Sequence, residues 1–145
     1  MYFDTSVLVA YYCPEAISEQ VEGLLRNQPG PIISELTEVE FYAAVARKVR
    51  QGGLDRPNAL RVLSEFETHI AGGRYAKLTM EHQHYRMARD WFGQLRWAMR
   101  TLDALHLAVA VKAHATIVTA DVAQAAVAEA LGVPALLLSR KPRRR

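Results

Sequence analysis

The amino-terminal stretch Met1-Tyr2-Phe3-Asp4-Thr5-Ser6-Val7-Leu8-Val9-Ala10 decides how the fold is interpreted. Every residue in it is apolar or hydroxylated except Asp4. A charged carboxylate among apolar residues is costly to bury unless it is paired, neutralised or bound to a metal ion. We therefore predict a first strand over residues 2–4, a turn at Thr5 and Ser6 into a short apolar segment, and other polar groups converging on Asp4.

The composition is typical of one globular domain. The chain has 145 residues, half of them hydrophobic, which suffices for a core of ordinary size. No apolar run approaches the roughly 18 residues of a membrane helix, and no basic segment precedes the apolar start. Cys13 is the only cysteine, which excludes an intramolecular disulfide and a cysteine-rich zinc site. We expect a cytoplasmic protein without a membrane segment.

The net charge of +3 belongs to the end of the chain. Residues 140–145 carry five of the 18 Lys and Arg side chains, which leaves 13 basic against 15 acidic side chains in residues 1–139. We therefore predict a single domain over residues 1–139, followed by a flexible basic tail over residues 140–145. Such a tail could add affinity for phosphate groups without base specificity.

Short strands alternate with longer helices along the chain. The predicted strands are residues 2–4, 32–33, 75–79, 116–119 and 135–138. The predicted helices are residues 14–26, a helix from Ser34 or Thr37 to about 50, a helix from Asp55 or Asn58 to about 70, and residues 81–97, 101–111 and 121–131. This alternation predicts a three-layer α/β/α fold with a central, mostly parallel, short-stranded sheet, in which sites form beyond the carboxyl ends of strands.

Four acidic residues stand in positions that suit such a site: Asp4, Glu40, Asp103 and Asp121. Asp4 and Asp121 follow predicted strands, and Glu40 lies on the inward side of its helix. Three of them also have a purely structural explanation. Glu40 could close a capping box with Thr37, Asp103 could stabilise the first turn of its helix, and Asp121 could cap the next helix.

Carboxylates that converge on one cleft repel each other, and a divalent cation removes that repulsion. Ligand sets made only of oxygen atoms suit Mg²⁺ or Mn²⁺. Two such ions activate water and stabilise the leaving oxygen in phosphodiester cleavage. The four acids together therefore predict a metal-dependent hydrolase.

The order and setting of these acids resemble those of PIN-domain ribonucleases, and the chain looks most like VapC-type toxins of VapBC toxin–antitoxin pairs. The resemblance spans nearly the whole chain. It rests on Asp4-Thr5-Ser6, Ser34-Glu35-Leu36-Thr37-Glu38-Val39-Glu40, Arg100-Thr101-Leu102-Asp103-Ala104-Leu105-His106-Leu107-Ala108 and Thr119-Ala120-Asp121. One departure follows the last acid, where family members often carry an aromatic residue and this chain has Val122-Ala123-Gln124-Ala125-Ala126.

The resemblance implies a PIN-like fold in which the four acids are the metal ligands and the catalytic residues. It implies that the hydroxyls of Ser6 and Thr119 orient those ligands or water. It also implies a homodimer that cleaves structured RNA through metal-activated water and leaves a 5′-phosphate and a 3′-hydroxyl. A small cognate antitoxin is expected to block the cleft.

Several other residues have weaker signals. Arg47 and Arg100 could hold RNA phosphates, although surface ion pairs explain them equally well. His106 could touch the substrate, but we expect it to be a hydrogen-bonded core histidine. We expect His82 and His84 to lie on a solvated helix face because their spacing does not suit a zinc-binding helix.

Two other functions stay open. A phosphatase with Asp4 as nucleophile would normally carry a second acid two residues later, where this chain has Ser6, and no lysine has a compelling phosphate-binding context. A non-catalytic PIN-like binding or regulatory module would keep the fold without needing all four acids.

Overall fold

Five short strands form one sheet in which all neighbouring pairs are parallel. The structure is a computed structural model that describes residues 1–139, and the predicted tail over residues 140–145 lies outside the described part. The strands in chain order are β1 (Tyr2–Phe3), β2 (Ile32–Ser34), β3 (Ala76–Leu78), β4 (Ile117–Thr119) and β5 (Ala135–Leu137). Their order in the sheet is β3-β2-β1-β4-β5, so β1 is the central strand.

Seven helices connect these strands within residues 1–139. They are α1 (Thr5–Tyr12), α2 (Ser18–Asn27), α3 (Glu35–Arg50), α4 (Arg56–Ala71), α5 (His82–Gly93), α6 (Thr101–Lys112) and α7 (Val122–Ala130). Apolar clusters cover both faces of the sheet, which confirms the predicted three-layer α/β/α architecture. None of the helices in this part of the chain combines the length and the apolar character that a membrane crossing requires.

The central strand explains how the layers are joined. Successive side chains of a strand point to opposite faces of the sheet. Phe3 enters the cluster built with α1, α2, α3 and α4, and Tyr2 enters the cluster built with α6 and α7. Both side chains are fully buried. Because the chain leaves β1 toward β2 and later returns to its other side as β4, the carboxyl ends of β1 and β4 flank a topological switch point, where sites form in such sheets.

The structure corrects three predictions about the helices. The segment after Asp4 is a helix, α1, that begins at Thr5 without the predicted turn, and the next helix begins at Ser18 rather than residue 14. Since α1 is buried on nearly all sides, its sequence carries no helical periodicity that could be recognised. The helix predicted to reach residue 97 ends at Gly93, because Leu95 adopts a left-handed conformation with φ of 56°.

The prediction for His84 was wrong. His84 is buried rather than solvated. It lies three residues after Glu81, at the start of α5, and its Nδ1 accepts a hydrogen bond of 2.9 Å from the backbone N–H of Glu81. His84 therefore accepts a hydrogen bond from a backbone N–H at the start of α5 that has no partner within the helix. The sequence argument considered only whether the spacing of the histidines suits zinc, so it did not indicate this role.

Gln124 offers a test of the packing of α7. Its side chain is 1% exposed, and neither its amide oxygen nor its amide nitrogen meets a hydrogen-bond partner among the described residues. A buried polar group without a partner costs about 1–3 kcal/mol. We expect Gln124→Met, which keeps an unbranched side chain, to raise the free energy of unfolding by about 1 kcal/mol in urea denaturation.

The matched control is Gln51→Met, because Gln51 is exposed at the end of α3. This control should change the free energy of unfolding by less than about 0.5 kcal/mol. A lower stability for Gln124→Met than for the wild type would show that the buried amide is satisfied in solution.

Candidate metal centre

A cleft of about 690 Å³ opens beyond the carboxyl ends of β1 and β4. The structure brings all four acids singled out in the sequence to this cleft: Asp4, Glu40, Asp103 and Asp121. They come from the end of β1, from α3, from the first turn of α6 and from the residue before α7. Arg47 and Arg100 line the same cleft. Residues spread over most of the sequence therefore form one site that is lined by both acidic and basic side chains.

Asp4 is the most buried of the four acids, with 6% of its surface exposed. Its backbone N–H donates to the carbonyl of Val118 at 3.0 Å, which ties it to β4. Its Oδ2 accepts hydrogen bonds from Ser6 Oγ at 2.6 Å and from Thr119 Oγ1 at 3.0 Å. Both hydroxyls use the same carboxylate oxygen, so Oδ1 is the oxygen left for another partner, and His106 Nε2 lies 3.4 Å from it.

Glu40 is not part of a capping box. The box at the start of α3 is formed by Ser34 and Thr37, so the earlier of the two predicted helix starts is the correct one. The Oε2 atom of Glu40 accepts a hydrogen bond of 2.9 Å from Thr5 Oγ1 and a second, short one from His106 Nε2. As at Asp4, one carboxylate oxygen is held by protein donors, and the other, Oε1, can face a ligand in the cleft.

The charges of Glu40 and His106 stabilise each other. Burial raises the pKa of Glu40, but the hydrogen bond from His106 and its charge outweigh burial, and the pKa of this carboxyl lies below its usual range. Burial lowers the pKa of His106, but the hydrogen bond to Glu40 and the charges of Asp4 and Glu40 raise it overall. Glu40 is therefore an ionised carboxylate at neutral pH.

Arg100 joins the two remaining acids. Its Nε donates to Asp103 Oδ2 at 2.9 Å, and its Nη2 donates to Asp121 Oδ2 at 2.7 Å. The Oδ1 atom of Asp121 caps α7 by accepting from the backbone N–H groups of Ala123 and Gln124. The structural explanation for Asp121 therefore holds for one of its oxygens. Because the Arg100 side chain is 74% exposed, its ion pairs contribute little and can be exchanged for other partners.

Three contacting residues were not identified from the sequence as part of this site. His106 is a hydrogen-bonded core histidine as predicted, but it also contacts Glu40 and approaches Asp4. Thr5 holds Glu40, and Tyr2 holds His106. The sequence did offer one indication of this contact: His106 lies in a helix that is apolar on all sides. A polar ring buried in such a helix requires a polar partner.

The donor set fits a hard divalent cation. Candidate ligand atoms of Asp4, Glu40 and His106 lie within 4.8 Å of one another. The Nε2 atom of His106 carries the hydrogen that it donates to Glu40, because an ionised carboxylate can only accept. His106 is therefore a partner of the ligands rather than a ligand, and the carboxylates of Asp4, Glu40 and Asp103 could hold Mg²⁺ or Mn²⁺, which prefer oxygen.

Solved structures share this fold. VapBC2 from Rickettsia felis, bound to a DNA fragment from their promoter, has a TM-score of 0.67 at 16% identity, covering 95% of this chain and 98% of that one. VapC20 from Mycobacterium tuberculosis, a sarcin–ricin loop cleaving toxin, has a TM-score of 0.67 at 17% identity, covering 87% and 93%. FitAcB from Neisseria gonorrhoeae has a TM-score of 0.70 at 20% identity, covering 92% and 94%.

The sequence comparison assigns the family. No curated protein sequence matches the chain at a significant level. The model of the PIN domain, however, matches residues 1–130, which is most of the chain and includes all four acids of the cleft. With the parallel sheet between two helical layers, this match shows that the chain belongs to the PIN domain family.

Proposed function

We propose that this protein is a metal-dependent endoribonuclease and the toxin of a toxin–antitoxin pair. The observation that carries the proposal is the arrangement of Asp4 and Glu40. Each carboxylate has one oxygen occupied by protein hydrogen bonds, and no Lys or Arg of residues 1–139 forms an ion pair with either. Two neighbouring carboxylates in this state are suited to share a divalent cation.

Asp4, Glu40 and Asp103 would hold Mg²⁺ or Mn²⁺, and Asp121 would join them when Arg100 exchanges its ion pairs. The bound ion would supply Lewis acidity and an activated water for hydrolysis of a phosphodiester bond. The role of the surrounding residues is to hold the ligands. Ser6 and Thr119 fix Asp4.

The basic side of the cleft supports a polyanionic substrate. Arg47 and Arg50 line the cleft beside the acids and come from the last turns of α3. Arginine at this position can bind phosphate groups while the acidic side holds the cation. RNA is the substrate we propose because VapC20, which shares the fold, is a sarcin–ricin loop cleaving toxin.

We further propose a small cognate antitoxin that blocks the cleft, and a homodimer of this chain. Support for the antitoxin comes from VapBC2 and from a toxin–antitoxin complex of Klebsiella pneumoniae, which have the same fold. If the proposal is correct, adding the antitoxin to the purified protein stops RNA cleavage at a stoichiometric ratio.

The contacts of the lysines favour this function over an aspartate-nucleophile phosphatase. Lys48 is paired with Glu15 at 2.7 Å and Lys77 with Glu38 at 2.9 Å, so neither is directed at Asp4. A non-catalytic binding module would bind the antitoxin but would not cleave RNA with any added metal ion.

Removal of single charges from the acidic side tests the nuclease. We expect Asp4→Asn and Asp103→Asn each to lower RNA cleavage by at least about a hundredfold. Loss of a group that only orients a metal ligand already lowers metal affinity or activity by about ten- to a hundredfold, and loss of the ligand itself should lower activity more. Asparagine has nearly the same size as aspartate, so far-UV circular dichroism should be unchanged. Cleavage is measured on total RNA by sequencing the new ends, which should carry 5′-phosphates.

The matched control is Asp90→Asn, since Asp90 is an exposed acid on α5 paired with Arg89. This variant should cleave RNA like the wild type. EDTA should stop cleavage, and added Mg²⁺ should restore it. Full activity in both cleft variants, or activity that persists in EDTA, would contradict the proposal.

A substitution on the basic side tests substrate binding separately from chemistry. Arg47→Ala should raise the KM for RNA and leave kcat unchanged, because it removes a phosphate contact rather than a ligand. The slope of log affinity against log salt concentration should fall by about 1. The control is Arg61→Ala on α4, outside the cleft. An unchanged salt dependence for Arg47→Ala would show that Arg47 does not bind phosphate.

A further inference from the structure

A buried series of hydrogen bonds leads from the start of α3 to the acids of the cleft. Tyr2 is fully buried in the central strand. Its hydroxyl lies 2.8 Å from Ser34 Oγ, 3.2 Å from Thr37 Oγ1 and 2.6 Å from Nδ1 of His106. The opposite nitrogen of the same imidazole contacts Glu40. One tyrosine hydroxyl and one histidine ring therefore connect a helix cap with the candidate metal centre.

One hydrogen of this series is fixed by Glu40. Because an ionised carboxylate only accepts, Nε2 of His106 carries a hydrogen that it donates to Glu40. The Tyr2 hydroxyl can donate to Nδ1 of the neutral ring and accept from Nδ1 of the protonated ring, so it partners the imidazole in either state. The side-chain hydroxyls of Ser34 and Thr37 also accept from each other's backbone N–H groups. Every group in the series has a partner.

The same imidazole touches both central carboxylates. Its Nε2 hydrogen is bonded to Glu40 Oε2, and Asp4 Oδ1 lies 3.4 Å from that nitrogen. The ring is 1% exposed, so it cannot turn without disturbing the core. The orientation of His106 therefore constrains Glu40 directly and Asp4 through the 3.4 Å approach.

We propose that Tyr2 and His106 are positioning residues of the metal centre: Tyr2 fixes the orientation of the His106 ring, and His106 holds Glu40 beside Asp4 so that both carboxylates can bind one divalent cation. The inference rests on the proposed metal-dependent function. Neither residue binds the cation itself. Groups that orient metal ligands through hydrogen bonds typically change metal affinity by about ten- to a hundredfold.

The hydroxyl of Tyr2 is the atom to remove. Tyr2→Phe keeps the buried ring and deletes only the hydroxyl that contacts His106, after which Nδ1 has lost its partner. The affinity for Mn²⁺, measured by isothermal titration calorimetry and by electron paramagnetic resonance of free Mn²⁺, should fall by on the order of tenfold. RNA cleavage should return close to the wild-type rate at saturating Mn²⁺.

The matched control is Tyr12→Phe. Tyr12 is also buried, and its hydroxyl is bonded to Nδ1 of His69 at 2.6 Å and to the Tyr75 hydroxyl at 2.7 Å, in a network without any acid of the cleft. Tyr12→Phe therefore loses a tyrosine hydroxyl that is also buried and also bonded to a histidine Nδ1. A structural effect alone would lower the melting temperature of both variants, but only Tyr2→Phe should bind Mn²⁺ more weakly.

A second variant tests the route through the histidine. His106→Gln can still donate from its amide to Glu40, whereas His106→Leu cannot, so the glutamine variant should retain more Mn²⁺ affinity than the leucine variant. Adding Tyr2→Phe to His106→Gln should cause no further loss, because Tyr2 acts through the ring that is absent.

The outcomes separate this inference from the proposed function. Equal Mn²⁺ affinity in wild type and Tyr2→Phe, an equal loss in Tyr12→Phe, or a further loss in the double variant overturns the positioning role and leaves the nuclease proposal standing. If the wild type binds no Mn²⁺ and cleaves RNA in EDTA, the proposed function fails and the positioning role fails with it.

Discussion

The burial of the Asp4 carboxylate at the end of the central strand is the constraint on which the site depends. A carboxylate that is nearly removed from solvent needs donors, and they come from two different elements, Ser6 in α1 and Thr119 at the end of β4, while the His106 ring of α6 lies 3.4 Å away. Each donor fixes the position of its own element against β1. The same contacts therefore hold these elements against the sheet and position the Asp4 carboxylate in the acidic cluster.

The topology of the sheet accounts for the meeting of the acids. With β1 in the centre, the connection through α1 and α2 leads to β2 on one side, and the chain later returns to β4 on the other. Helices that follow β1, β2 and β4 then begin at the same edge of the sheet. The residues just before α1 and α7 are Asp4 and Asp121, and Glu40 lies in the second turn of α3, so these three acids meet at that edge.

The inner and outer acids of the cleft are stabilised by different kinds of partner. Its central acids, Asp4 and Glu40, are held by hydroxyls and by one imidazole. Its outer acids, Asp103 and Asp121, are paired with Arg100, an exposed side chain. The inner arrangement is rigid because its partners are buried, and the outer one is exchangeable because its partner is in water. This difference suits a centre that keeps its ligands in place while its outer charges change partners.

The sequence by itself determined the alternation of strands and helices, the anomalous charge at Asp4 and the set of four acids, because each is a property of neighbouring residues or of a family resemblance. It did not reveal α1, since a helix buried on nearly all sides has no polar face, and it placed His84 in solvent. Only the tertiary structure decided that Tyr2, His106 and Glu40 are in contact. These residues are 104 and 66 positions apart in the chain, and the direction in which a buried side chain points depends on the packing of distant elements rather than on the local pattern.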